Sequence, residues 1–163
     1  MMLISHEGNE VEVSAVPVPR PLMREVAHVF KNIKIDDAVV AVPTCQRSRM
    51  ELVNWGEDAA VEKDRLLEVF AAFGKHLCED LAARGHWADY IDPCSGLPTI
   101  AKDGTSVYDE VAGVQALLKY DVSQAGPCKI LLHPKWGSAV YPATCFTTAP
   151  QDVVTAVLGA YRT

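Results

Sequence analysis

The chain has 163 residues and a mass of 17.8 kDa, one domain's worth of sequence and enough to bury a core. Its 49% hydrophobic and 22% charged composition excludes a disordered or fibrous protein. Fifteen Lys and Arg against twenty-one Asp and Glu give a formal charge of −6, the wrong sign for a surface that neutralises phosphates, which argues against nucleic acid as a partner. No apolar run approaches the roughly 20 residues of a membrane span. The start Met1-Met2-Leu3-Ile4-Ser5-His6-Glu7 has neither a basic n-region nor an Arg-rich presequence. Five cysteines, an odd number without CxxC spacing, read as reduced thiols, so a cytoplasmic chain is expected.

In chain order, residues 1–9 read as a short flexible lead. Val11-Glu12-Val13-Ser14-Ala15-Val16 alternates as a half-buried strand and is stopped by Pro17, Pro19 and Pro21. Leu22, Val26, Val29, Phe30 and Ile33 then form a one-sided stripe, predicting a helix. Ala38-Val39-Val40-Ala41-Val42 suits an interior strand. Residues 58–84 form the longest periodic segment, with Leu66, Phe70, Phe73, Leu77 and Leu81 facing inward and Gly85 placed to end the helix. A strand over 87–91 and a loop to about 104 follow. Ser106 and Asp109 form a capping-box-like start for a short helix to about 120. Residues 128–133 and 140–146 read as two strands of one hairpin, and Pro150 opens a terminal helix. The order β-α-β-α-β-α-β-β-α gives one α+β sheet layered with helices.

Neither GxGxxG nor GxxxxGK[ST] occurs, so a Rossmann or P-loop nucleotide site has no support. Gln46-Arg47-Ser48-Arg49 is the one compact basic cluster; it reads as a solvated loop, with a flavin phosphate held by Arg47 and Arg49 as the alternative. His86 with Asp89 and Asp92 suggests an acid–base or metal group without a fixed geometry. Among the thiols, Cys78 falls on the inner side of the long helix, and Cys45 and Cys145 belong to apolar strands. Cys94 lies in a Pro-Cys-Ser-Gly turn without a basic neighbour. Cys128 differs, because it follows Ala125-Gly126-Pro127 and precedes Lys129 where a turn becomes a strand, a place that presents a side chain at a sheet rim. Cys128 with His133 is a weak zinc pair, and a nucleophile–base pair only if a third group orients the histidine.

The run Gly85-His86-Trp87-Ala88-Asp89-Tyr90-Ile91-Asp92-Pro93-Cys94-Ser95-Gly96-Leu97, then Gly126-Pro127-Cys128-Lys129-Ile130, then His133-Pro134-Lys135-Trp136-Gly137, resembles the C-terminal domain of the CblD (MMADHC) family of cobalamin-trafficking proteins. Val53-Asn54-Trp55 and residues 61–68 fit the same pattern upstream. The resemblance implies a single domain over 1–163, with a nitroreductase-like fold that has lost its flavin site. It implies a chaperone and not an enzyme. Cobalamin would be received from a CblC (MMACHC)-like partner and passed toward methionine synthase and methylmalonyl-CoA mutase, with a mitochondrial form in a longer chain. The family's cobalt-binding cysteine corresponds to Cys128, which makes that residue both the cofactor-binding and the metal-binding site. Family members carry a second cysteine where Pro127 stands and serine where Cys94 stands, so a vicinal thiol pair is not implied here.

Overall fold

The computed structural model describes residues 1–53 and 56–162; Asn54 and Trp55 of the upstream sequence block lie outside the described residues. The chain starts as a hairpin of β1 (Met2–His6) and β2 (Asn9–Val13), joined by Glu7 and Gly8 at φ 50° and 81°. Two consecutive positive-φ residues are the requirement of a type I′ turn, whose twist matches that of the strands it joins. The flexible lead expected for residues 1–9 is therefore a strand, and Ile4 anchors it by burial opposite Val11.

Five strands run in the order β1-β2-β4-β8-β5, each neighbouring pair antiparallel, and a two-residue β3 (Val16–Pro17) also pairs with β4. The centre is β4 (Val40–Arg47) against β8 (Val140–Thr147), paired along all eight residues; β5 (Ala88–Tyr90) closes one edge. Two helices cover each face. On one side α2 (Glu57–Ala83) and α4 (Gln151–Gly159) pack Phe70, Phe73, Leu77, Val154 and Leu158 onto Ile4, Val11 and Val42. On the other, α1 (Arg20–Val29) and α3 (Glu110–Leu118) pack Leu22, Val26 and Leu117 onto Ala41 and Phe146. The start of α3 is corrected by three residues: the cap is Asp109, whose side chain accepts the N–H of Ala112 at 3.1 Å, and Ser106 precedes it in the loop.

The remaining pair, β6 (Asp121–Ala125) and β7 (Cys128–Leu132), forms a separate two-stranded sheet. This corrects the expected hairpin of 128–133 with 140–146. The strand β8 is buried almost throughout and needs a partner on each side, which β4 and β5 supply. β7, exposed at Cys128 and Lys129 and buried only at Leu131, takes the mostly exposed β6 instead. Between them Gly126 sits at φ 59°, followed by Pro127, in the Gly-first arrangement of a type II′ two-residue turn.

Candidate functional site

Cys128 is the first residue of β7, directly opposite Ala125 across the turn, and every residue from 123 to 129 is exposed. The β6–β7 pair is thus an arm that carries a thiol at its tip among small neighbours, Ala125, Gly126 and Pro127. Lys129 follows on the opposite face of the strand, paired with Gln124. Three other thiols are interior. Burial pushes Cys45 and Cys78 up to about 12 and Cys145 well above the ordinary thiol range, so none offers a thiolate at neutral pH. Cys94 is also exposed, but in a turn folded onto a carboxylate: Asp92 Oδ1 accepts its backbone N–H at 3.1 Å, and Asp92 Oδ2 accepts the Ser95 hydroxyl at 3.0 Å.

His133 is not a partner of Cys128. Five residues of extended strand separate them, about 16 Å at the usual rise of roughly 3.3 Å per residue. His133 is also 4% exposed and committed elsewhere. Its Nδ1 accepts the backbone N–H groups of Lys135 and Trp136 at 3.1 and 3.2 Å, and its Nε2 meets Glu12 Oε1 at 2.7 Å. Both the zinc pair and the nucleophile–base pair are therefore absent. Among the described residues no three His, Cys, Asp or Glu side chains gather at metal-ligand spacing.

The basic cluster is a seam between β4 and α2. Gln46 Nε2 donates to the Leu66 carbonyl at 2.9 Å, Ser48 Oγ donates to the Met50 carbonyl, and the Arg49 backbone N–H donates to the buried Glu62 carboxylate. Arg65 grips the same carboxylate through Nε at 2.7 Å and Nη2 at 3.1 Å, which holds Glu62 below the usual carboxylate range. Arg47 lines a recess of about 290 Å³ with Arg65, Glu10 and Trp136, and Arg49 does not share it. That recess has only one of the two arginines considered for a flavin phosphate on its wall.

Of the His86, Asp89 and Asp92 group, the two carboxylates are loop anchors. Asp89, 1% exposed, accepts the N–H groups of Tyr90, Ile100 and Ala101 at 2.7 to 2.9 Å. The loop it pins closes over α2 to leave a cleft of about 550 Å³ floored by Phe70, Tyr90 and Leu97. Replacing Asp89 with Ala leaves the buried Tyr90 N–H and the part-buried Ile100 and Ala101 N–H groups without this acceptor, so a loss of about 3 kcal/mol is expected in denaturant unfolding, with faster proteolysis near residues 98–101.

Sequence reasoning missed Glu12, which alternation assigns to a solvent-facing position in its strand, and the partner strand β6, whose polar residues show no periodicity. It also missed Glu110, which lies at the start of α3 and bonds Thr144 across 34 positions. No local signal marks any of the three.

Residues 4–157 match the family model described as MMADHC, methylmalonic aciduria and homocystinuria type D protein. The chain is 31% identical over 146 residues to the rat protein named cobalamin trafficking protein CblD, 30% to its human counterpart and 27% to that of chicken. In each case the match covers 90% of this chain and 49% of the relative, so the chain spans about half the length of the curated relatives it matches. With the match running from the first strand into the last helix, the chain belongs to the methylmalonic aciduria and homocystinuria type D protein family.

Proposed function

We propose that this chain handles cobalamin as cargo and that Cys128 is the group that binds its cobalt. The observation that carries the reading is the placement of an exposed thiol at the tip of an arm standing apart from the main sheet. A sulfur so placed reaches a metal held in another protein without opening its own fold. Gly126 and Pro127 present little bulk and hold the turn stiff, which suits approach to a broad, flat ring. The chemistry is ligand exchange: the Cys128 thiol gives its proton to solvent, a sulfur electron pair fills an axial position of the cobalt, and the water or hydroxide there leaves. No oxidant or reductant is consumed. A soft anionic sulfur donates strongly and is displaced again on handover, as serine would not be.

In this reading the chain is a chaperone and not an enzyme, cytoplasmic, one domain over 1–163, with a nitroreductase-like layout without flavin. It receives cobalamin from a CblC-like processing protein and supports delivery to methionine synthase and methylmalonyl-CoA mutase. The family membership, the relatives' printed names and the arm geometry support this. An absorbance titration of hydroxocobalamin with this protein and a CblC-like partner tests it. A saturable spectral change is expected with the native chain, and Cys128→Ser is expected to abolish it while leaving the unfolding free energy within about 0.5 kcal/mol of native, as for an exposed side chain. An identical spectrum from the variant overturns the assignment.

A further inference from the structure

Among the described residues the arm is bonded to no strand of the main sheet; its ladder runs between β6 and β7, from Asp121↔Leu132 to Ala125↔Cys128. An isolated two-stranded hairpin is marginal in water, so the direction in which the arm stands is decided at its base. Apolar packing of Leu131 and Val122 against Val114, Leu118 and Val140 holds the base down. Such contact is non-directional. The directional contact that both feet share is one imidazole. His133 follows β7 immediately, and Tyr120, immediately before β6, meets its ring edge-on at 5.3 Å, so both feet of the arm close on the same side chain.

Every valence of that ring is used. Trp136 stacks on it at 3.9 Å and 10°, and Nδ1 accepts two backbone N–H groups, which leaves the ring proton on Nε2 to be donated to Glu12 Oε1 at 2.7 Å. The turn from His133 to Gly137 is closed by reciprocal backbone bonds of 2.8 and 2.9 Å, with Gly137 at φ 58°. The side chains of His133 and Glu12 are only 2% and 8% exposed. Burying such a pair costs desolvation that an apolar pair would not incur, and what it adds is a fixed direction between β2 and the foot of the arm.

We propose that His133 and Glu12 are a positioning pair that orients the Cys128 arm on the body of the protein. The proposal rests on the reading of Cys128 as the cobalt-binding thiol, and two readouts separate the two ideas. Glu12→Val removes the acceptor and Glu12→Gln keeps it. Hydrogen exchange of residues 121–132 is compared with that of β4 and β8, alongside the rate at which Cys128 alters the hydroxocobalamin spectrum in the presence of a CblC-like partner.

Glu12→Val is expected to speed exchange in the arm about tenfold relative to β4 and β8, and to slow capture by a similar factor with the final spectrum unchanged. Glu12→Gln is expected to restore both. Trp136→Leu, which removes the stack at a half-buried position, is expected to act in the same direction and serves if Glu12→Val does not fold. Equal acceleration of arm and core exchange overturns the positioning role, as does a Glu12→Gln variant as slow as Glu12→Val. A native protein with no Cys128-dependent spectrum overturns the cobalt reading instead, while the exchange comparison still decides the pair.

Discussion

Glu110→Gln is expected to stabilise the protein at pH 8 by about 2 kcal/mol and to leave it nearly unchanged at pH 4.5, a difference read by urea unfolding at the two pH values. Glu110 occupies the first turn of α3, and its carboxylate replaces a strand. Where β5 ends, the Thr144 carbonyl still finds the Ile91 N–H at 3.1 Å, but the Thr144 N–H and hydroxyl have Glu110 as acceptor, at 3.1 and 2.7 Å. Burial pushes the carboxyl up from its ordinary 4.5 to about 7; the two Thr144 bonds pull it down, and Asp109 and Glu25 push it further up.

A folded-state value above the unfolded one means that the native protein holds the proton more tightly. The stabilisation is full below pH 4.5 and is lost as pH rises through 7, by about 3 kcal/mol at most, at 1.36 kcal/mol per unit. Glutamine keeps an acceptor for the Thr144 N–H and carries no charge, so it escapes the loss and forgoes only the charge-assisted bond. A native stability that does not fall between pH 5 and 8 relative to the variant would contradict this assignment.

Gly113→Ala is expected to cost about 3 kcal/mol, the upper end of overpacking penalties. A Cβ at 113 would stand 1.9 Å from the Tyr108 hydroxyl and 2.5 Å from the ring carbon bearing it. Tyr108 cannot step aside readily, since it is 3% exposed and packed edge-on against Phe146 at 5.2 Å. Its hydroxyl is buried with no hydrogen-bond partner of good geometry among the described residues, so Tyr108→Phe alone is expected to be nearly neutral and to recover at least about 1 kcal/mol in the Gly113→Ala background. Gly159→Ala provides the contrast: it lies on α4 with open space around it, and a gain of about 0.5 kcal/mol is expected. Additive costs for the 108 and 113 substitutions would show that the steric account is wrong.

The helices and central strands were legible because each is decided by its own residues. The stripe from Leu66 to Leu81 places a helix over 58–84 and the structure has Glu57–Ala83; of the apolar run at 38–42, Val40–Val42 open β4, which continues to Arg47, and the segment 140–146 lies in β8. Pairing was not legible, because it is a contest between distant segments. Residues 128–133 and 140–146 look like a hairpin until β4 and β5 are both available to β8, and β6 then takes β7. The first nine residues showed no alternation, and only the Glu7-Gly8 turn folds them onto β2.

At the site, the exposure of Cys128 was readable from the Gly-Pro step before it, and the burial of Cys78 from its helical register. The commitment of His133 to Glu12 was not readable, since 121 positions separate them and each looks like a surface residue in its own strand.

The central claim is that the Cys128 sulfur binds cobalt, and cobalt K-edge X-ray absorption of the protein with a CblC-like partner and cobalamin tests it most directly. A sulfur neighbour on cobalt is predicted for the native chain and its loss for Cys128→Ser. A native spectrum with only nitrogen and oxygen neighbours, or a sulfur neighbour that survives Cys128→Ser, would contradict it.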